Sequence, residues 1–570
     1  MRKEYIQINN KKYEFQVGES VLHVAIRNNI DIPHFCYHED LQTEARCRAC
    51  LVKTIKDDKI VTSCTLSAVH GLKISTKGRI LERLRKENME LLLADHKKNC
   101  RNCKSNYFCK TSEEMKKYKI TGEKYHRQKT GEPIHKMATA AQIDSNVCIA
   151  CNKCVQICDR IGIGYLELTD GGSKTHSTHK NIPNIDCIYC GQCSVHCPAN
   201  AIHEQSQIEE VEAALKDKSK IVIAQAAPSI RTSIGEEFGC EPGKDLTGQM
   251  YTAMRKLGFD KVFDVSMGAD ITTVVEAKEL VKRIKTGDHL PMFTSCCPGW
   301  VKFVEFYHPE LIPNLATSRS PQIHAGAAYK TWWAKKEKIN PKNIVVVSIM
   351  PCTSKKYEAK NSELKVEGNY PVDNVLTTRE FAILLKKNNI NLPKLTPSKV
   401  DLHGEYSGAA VIYGASGGVA ESALRTAYFD FTKTELENIE FEKVRGIEGI
   451  KKTEVKIGNR VIKVAVVTTM KNVRLIIGEL KENPRAYDYI EVMACPGGCI
   501  GGGGQPIPTT DNIVKERTKG LYTIDKKSKV RKAHLNPVAE DFFKSYIGKQ
   551  TKEKQSEILY RTYSQKKKFR

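Results

Sequence analysis

CIACNKCVQIC at residues 148–158 and CIYCGQCSVHCP at residues 187–198 repeat one spacing, C-x2-C-x2-C-x3-C. In chains that carry two four-iron cubanes with this spacing, the fourth cysteine of each run ligates the other cluster. One cubane is therefore assigned Cys148, Cys151, Cys154 and Cys197, and the other Cys187, Cys190, Cys193 and Cys158. Pro198 closes the second run, whereas Asp159 stands where a proline is expected after the first. That change relaxes a turn and removes no ligand.

The pattern gives residues 126–206 the character of a bacterial two-cluster ferredoxin-like domain, and two further ligand groups precede it. Over residues 1–80, period-2 segments (Glu4–Ile8, Tyr13–Val17) and a short helical stretch (Val21–Asn28) predict a small β-rich domain of β-grasp, ferredoxin-like fold. Cys36, Cys47, Cys50 and Cys64 place a tight C-x2-C pair between two isolated cysteines, close to the plant-type [2Fe–2S] pattern but looser between the first two. A structural zinc is the plainer alternative for four cysteines. A helical run, Arg79–Asp95, then leads into His96, Cys100, Cys103 and Cys109, set within residues 81–125. Three thiolates and one imidazole can hold a cubane, less negative than an all-thiolate one.

Twenty-one cysteines in 570 residues cannot all pair as disulfides, and MRKEYIQINNKKYEF at the N-terminus has no apolar core of signal-peptide length. Metal-bound thiolates in a reducing cytoplasm are the expectation. No apolar run approaches the roughly 18 residues of a membrane helix, and the length predicts three to five domains. The formal charge of +24 raises the question of nucleic acid. Basic residues are spread along the chain, however, with only short runs such as Lys566–Lys568, and no nucleic-acid module accompanies them. A cubane with four thiolates carries roughly −2, so clusters offset part of the excess. The remainder suits an acidic electron-carrier protein rather than nucleic acid or a membrane.

Beyond Gln207 the pattern changes to alternating helices and strands. Helical segments (Ile208–Lys216, Lys471–Leu480) and strand-like runs (Ile221–Ala224, Ile344–Ile349, Ala409–Tyr413, Val461–Val467, Tyr489–Val492) predict an α/β domain over residues 207–515, with parallel sheets in two lobes. The whole chain is thus expected to be multidomain α+β. Ligand crevices in such sheets lie at the carboxyl ends of strands. Cys296 and Cys297 follow Pro291–Phe293 in TSCCPGW, Cys352 follows the Ile344 run in MPCTSKKYE, and Cys495 and Cys499 follow the Tyr489 run in EVMACPGGCIGGGGQP. If these strands share a sheet edge, the thiols converge on one crevice. Gly501–Gly504 would let the backbone approach a bulky cofactor. Buried free cysteines are the plainer reading, and the shared position at strand ends weighs against it. Cys240 fits no such pattern and is expected to be buried and inert.

These segments, together with the upstream cluster motifs, resemble the signature of the iron-only ([FeFe]) hydrogenases in their long, clostridial-type arrangement. That family holds an H-cluster, a [4Fe–4S] cubane joined through a cysteine thiolate to a two-iron unit with carbon monoxide, cyanide and a bridging azadithiolate. By motif position the resemblance implies Cys297, Cys352, Cys495 and Cys499 as cubane ligands, with Cys499 as the bridge. It implies Lys355 and Ser229, with Pro228 beside it, as partners of the cyanides, and Met350, Met493 and Gln322 as cofactor lining. Cys296 is implied as the thiol that relays protons to Glu276 and Glu279, which share a helix face with Arg283. A solvated acidic face is the plainer reading of that helix. The family usually places a serine between the two glutamates. Ala316 stands there instead, leaving Thr317 or a water to substitute.

The implied cofactors are one [2Fe–2S] cluster, three accessory [4Fe–4S] clusters and the H-cluster. The implied reaction is the reversible joining of protons and electrons as H2. Electrons come from ferredoxin or flavodoxin, and maturation proteins insert the two-iron unit. Plant-type clusters near −400 mV match a hydrogen couple at about −0.41 V. Residues 516–570, including VRKAHLNP at 530–537, resemble the family's small-subunit-like segment, expected to wrap the catalytic domain and to end in a disordered Lys566–Arg570. Two other readings share parts of the pattern. A respiratory dehydrogenase subunit lacks the three later motifs, and no dinucleotide fingerprint follows any strand. A non-catalytic relative that carries or assembles clusters would not keep Cys296, Lys355, Met350 and Ser229 together.

Overall fold

A computed structural model describes residues 4–94, 109–120, 124–125, 133–169, 176–180 and 182–567; His96, Cys100 and Cys103 lie outside the described residues. The strands Tyr5–Ile8, Lys11–Glu14, Leu51–Thr54, Ile60–Thr62 and Lys73–Ser75 form one sheet. Its buried residues Ile6, Ile8, Val52 and Ile74 pack with Val21, Leu22, Val24 and Ala25 of the helix Val21–Arg27. Ser20 caps that helix by accepting from the His23 amide at 3.2 Å. Cys50 and Cys64 belong to this core. Cys36 and Cys47 face outward from it, packing with Met89 and Leu93 of the helix Arg79–Leu93 and with Ile149 and Cys151.

The duplicated cysteine run is duplicated in backbone conformation. Ala150 and Asn152 in the first run take φ of 51° and 68°, and Tyr189 and Gly191 in the second take 62° and 72°. This left-handed pair curls each loop so that the amides of Ala150 and Tyr189 point back at the first sulfur of their own run, Cys148 and Cys187, each at 3.3 Å. Non-glycine residues avoid that region by roughly 1–2 kcal/mol, and amide bonds to sulfur offset the strain. Short helices, Lys153–Ile161 and Gln192–Val195, follow the two loops.

Two four-stranded sheets carry the region beyond residue 207. In the first, Lys261–Asp264, Ile221–Ala226, Ile344–Met350 and Asn374–Thr377 lie side by side, all parallel. In the second the order is Met292–Phe293, Tyr489–Met493, Arg460–Thr468 and Ile450–Ile457. The last of these is antiparallel, so this sheet is mixed rather than parallel throughout. The central strands are covered on both faces, which is why IVVVSIM reads as a nearly continuous apolar run. The helix Val265–Thr286 links the sheets: Val265, Met267, Ile271 and Val275 pack in the core of the first, and Ala277, Leu280, Val281 and Ile284 in that of the second.

Four expectations need correction or extension. Ala409–Tyr413 is a helix, Gly408–Val411, followed by a tighter turn over Ile412–Gly414. A short apolar run does not distinguish a buried strand from a buried helix, and the signal for helix was Ser407, which caps it by accepting from the Ala410 amide at 3.3 Å. The strands Lys261–Asp264, Asn374–Thr377 and Ile450–Ile457 have too few apolar residues, or too many lysines, to stand out. The cysteine-bearing strands do not share one sheet edge, because Ile344–Met350 lies in the first sheet and the other two in the second. Lys566 is held in place rather than disordered: its amide donates to the Glu305 carbonyl at 2.8 Å and its ammonium pairs with Glu363.

The helix Asp511–Lys527 is fastened by a buried ion network. Asp525 accepts from both terminal nitrogens of Arg425, at 3.0 and 2.9 Å, and from Arg531 at 2.6 Å. Glu421 binds Arg425 and Arg445, each at 2.7 Å. Removing one member strands a fully buried guanidinium. Asp525→Ala is expected to destabilise the region beyond residue 207 by ~3 kcal/mol, the low end for a broken buried pair because Glu421 remains. The check is a lowered urea midpoint in tryptophan fluorescence, since Trp300, Trp332 and Trp333 are all buried in that region.

Candidate active site

The carboxyl ends of the two sheets face one buried cavity of about 70 Å³. A buried water needs about 10–15 Å³ on this measure, so the space holds several water-sized groups. Cys296 and Cys297 reach it from one strand end of the second sheet, Cys495 and Cys499 from the neighbouring one, and Cys352 from the first sheet. Ser229, Pro228, Lys355, Met350, Met493 and Gln322 line the same cavity. These eleven residues are therefore brought to one place, whereas Glu276, Glu279 and Arg283 lie outside the cavity lining.

The chemistry of this lining fits a multi-iron group. Burial pushes Cys495 well above the ordinary thiol range, and its neighbours Cys190, Cys352, Cys297 and Cys499 push it further. Burial raises Cys352 to about 11, with Cys297 adding to it. Such a set becomes anionic together only when a cation shares it. Among the described residues no three His, Cys, Asp or Glu side chains close on one point as a single metal ion requires. The Ser229 hydroxyl is 1% exposed and has no hydrogen-bond partner among the described residues. A buried donor left unmet on a cavity wall points to a ligand that accepts from it.

Lys355 carries a full charge into this wall. Burial lowers its affinity for a proton, but Glu358 at 2.8 Å outweighs that and leaves it above the ordinary lysine value. The ammonium also donates to the Cys296 carbonyl at 3.0 Å. Its anionic partner within the chain is thus Glu358, which also accepts from Gln322 at 2.7 Å and Ser320 at 2.8 Å.

Behind Cys296 lies a buried carboxylate. Glu276 is the strongest charged influence on the Cys296 thiol, which burial raises well above its usual range. Burial likewise raises Glu276 to about 8, against the pull of a hydrogen bond from Tyr489 at 2.6 Å. Glu279 lies one turn on, bound by Arg283 at 2.5 Å and by the amide and hydroxyl of Thr317, both at 2.9 Å. The helix face is therefore buried rather than solvated. Thr317 serves Glu279, and Ala316 is wholly buried with no hydroxyl to offer.

The upstream thiols gather in the crossed sets their spacing assigns. Cys197 joins Cys148, Cys151 and Cys154, and Cys158 joins Cys187, Cys190 and Cys193. The latter four line a second, smaller cavity of about 30 Å³, and Cys190 lines the large one as well. Gly191 and Gly503 make that proximity possible. A Cβ on Gly503 would fall 2.3 Å from the Gly191 carbonyl carbon, so the glycine run approaches a protein loop as well as the cavity. In the N-terminal region Cys36 and Cys47 lie 3.4 Å apart, and Cys64 hydrogen-bonds Cys50. Those hydrogen bonds draw Cys47 to about 6 and Cys50 to about 7. Two such pairs suit two irons better than one zinc. Cys109 is buried beside Pro198, next to Cys197.

Residues 220–503 match the iron-only hydrogenase large subunit, C-terminal domain; residues 5–79 match a 2Fe-2S iron-sulfur cluster binding domain; residues 511–566 match the iron hydrogenase small subunit. The chain is 38% identical to iron hydrogenase 1 of Clostridium pasteurianum, over 98% of this chain and 99% of that one. The chain belongs to the iron-only hydrogenase family. It is also 36% identical to an NADP-reducing hydrogenase subunit of Solidesulfovibrio fructosivorans, over 98% of each chain. A solved apo [FeFe]-hydrogenase of Chlamydomonas reinhardtii superposes with a TM-score of 0.57 at 36% identity, covering 63% of this chain and 99% of that one.

Glu358, Tyr489 and the cavity-lining Tyr413 of this hydrogenase's site escaped the sequence reading. Glu358 had a detectable signal, a carboxylate three residues past Lys355 on a helix. Tyr489 had none, being one aromatic in a buried strand. Cys240 is half-buried against the first core and joins no site.

Glu276 also makes the hydrogenase's stability depend on pH. Between the ordinary 4.5 and about 8 the folded chain keeps a proton there that the unfolded chain has released. Stability therefore falls as pH rises through that window, by about 1.4 kcal/mol per unit, and no further above it. Glu276→Gln keeps the protonated shape and removes this slope. The expected outcome is a variant that gains on the wild type as pH rises from about 5 to about 8, measured as urea midpoints. Asp270, which burial holds up to about 7, leaves a residual slope of the same sign in both.

Proposed function

We propose that this hydrogenase interconverts protons and H2 at the cavity between its two sheets, with Cys297, Cys352, Cys495 and Cys499 holding the cubane of an H-cluster and Cys499 bridging to the two-iron unit. One observation carries the reading: four thiols from two separate sheets line a single buried space together with an unmet serine hydroxyl and a charged lysine. When bound, the H-cluster supplies the two-electron chemistry of the reaction. Ser229 and Lys355 would donate to its cyanide ligands, while Pro228, Met350, Met493 and Gln322 shape the wall and exclude water. Lys355 needs its ammonium held in place, and Glu358 does this from the side away from the cavity.

The thiol of Cys296 moves protons between the cavity and Glu276, and Glu279 with Arg283 leads them toward the surface. A buried carboxyl with a raised proton affinity suits that work near neutral pH. The accessory set we propose is one [2Fe–2S] cluster on Cys36, Cys47, Cys50 and Cys64 in a β-grasp domain, and two cubanes on the crossed cysteine sets of a two-cluster ferredoxin-like domain. A third cubane would sit on Cys109 with His96, Cys100 and Cys103, which lie outside the described residues. Cys190 would make one cubane the last stop before the catalytic cavity.

Ferredoxin or flavodoxin is the proposed electron partner, drawn by a basic surface. A second source of electrons is a companion subunit, favoured by the full-length likeness to a hydrogenase subunit. Among the described residues no helix is long and apolar enough to cross a membrane. The test is anaerobic purification, cluster reconstitution and insertion of the two-iron unit, followed by H2 evolution from reduced ferredoxin. Activity with carbon monoxide and cyanide bands in the infrared supports the reading, and full iron loading without either overturns it. Cys296→Ala is expected to lower turnover about 10²–10⁴-fold, the usual range for a lost proton-transfer group, while iron content and infrared bands persist.

A further inference from the structure

Glu276 receives its hydroxyl from an unexpected quarter. Ala316 has no side-chain donor, and its backbone is engaged elsewhere: the amide donates to the Phe293 carbonyl at 2.8 Å, and its carbonyl accepts from the Tyr563 hydroxyl at 2.6 Å. Thr317 bonds Glu279. The phenol of Tyr489, itself fully buried, donates to Glu276 Oε1 at 2.6 Å, while Oε2 has no partner among the described residues.

The register explains how a strand residue reaches that helix. Met292 pairs with Tyr489 across the parallel ladder, and Phe293 pairs with Leu315. Side chains alternate along a strand, so Met292, Tyr489 and Ala316 share one sheet face and Phe293, Ile490 and Leu315 the other. The first face meets the helix Val265–Thr286, where Tyr489 and Ala316 pack in one cluster with Ala277 and Leu280. A small residue at 316 and a large hydroxylated one at 489 thus form a matched pair over the acidic helix.

We infer that Tyr489 is the positioning residue for Glu276 in this hydrogenase, supplying from the neighbouring strand the hydroxyl that residue 316 lacks. The inference rests on the proposed proton path. With Oε1 fixed by the phenol, Oε2 is the oxygen left to exchange a proton with Cys296. Donation to the carboxylate also favours its charged form, against the burial that opposes it.

The test compares wild type, Tyr489→Phe and the double variant Tyr489→Phe with Ala316→Ser. In protein without the two-iron unit, the Glu276 carboxyl stretch is identified by its loss in Glu276→Gln, and Tyr489→Phe is expected to move it to higher frequency. In the mature enzyme the same change is expected to lower turnover about ten- to hundredfold, the worth of a hydrogen bond to a charged group. It should also move the pH profile upward, and Ala316→Ser should restore part of both. A fluorinated tyrosine at 489 keeps the packing and strengthens the donor, so it moves the band and the profile the opposite way and decides the matter if the phenylalanine variant does not fold. An unmoved band and profile, or a loss of turnover explained by lost iron, overturns the inference. If Glu276→Gln itself leaves turnover intact, the proton path fails; if it abolishes turnover while Tyr489→Phe changes nothing, only the role of Tyr489 fails.

Discussion

Four thiols crowded into one buried cavity are the constraint on which the catalytic half of this chain depends. Burial raises Cys352, Cys495 and Cys499, and the charges of their neighbours, Cys297 among them, raise them further, so the set is stable as thiolates only with a cation between them. The architecture follows from bringing them together. Two sheets must present their carboxyl ends to one space, and one long helix must belong to both cores, as Val265–Thr286 does. A loop from the cluster domain must also come close enough that two glycines, Gly191 and Gly503, touch backbone to backbone.

Proximity orders the sulfurs into a line. Cys36 and Cys47 share a packed cluster with Cys151, Cys154 stands near Cys193, and Cys190 stands near Cys352 and Cys495. The left-handed loops contribute by turning amides onto the first sulfur of each run, and helices that begin beside them keep the loops from relaxing. Hydrogen bonds to sulfur and burial are among the levers that set a cluster's potential. Here the amides of Ala150 and Tyr189 come from the repeated local sequence, while burial and the Ser177 amide on Cys148 come from other parts of the fold.

That difference between local and distant explains what was legible before the structure. Cluster-ligand spacing is local, so the crossed cysteine sets could be read from the two runs alone. The helix at Ile208–Lys216 and the strand at Ile344–Met350 were legible because one face or both faces are apolar throughout. Residues 409–413 were misread because an all-apolar segment carries no period, and that error hid Tyr413, which lines the cavity. Sheet membership was not legible, since nothing near Cys352 records that its strand pairs with Ile221–Ala226. Tyr489 was invisible for the same reason, its meaning lying in a helix some two hundred residues earlier.

The C-terminal strap shows why the small-subunit-like segment belongs to the site. Tyr560 bridges to Ser318, the Arg561 amide donates to the Thr317 carbonyl at 2.8 Å, and Tyr563 holds the Ala316 carbonyl. The Arg561 guanidinium comes within 4.0 Å of Glu358, the carboxylate that pairs with Lys355. One extended stretch therefore braces both the backbone beside Glu279 and the counter-charge behind Lys355. Glu358 thus has Lys355 on one side and Arg561 on the other, and its pairing with Lys355 is what holds that lysine above its ordinary value. The cavity wall and the acidic helix are thus braced by the same short stretch, Tyr560 to Tyr563, in which Arg561 reaches one with its amide and the other with its guanidinium.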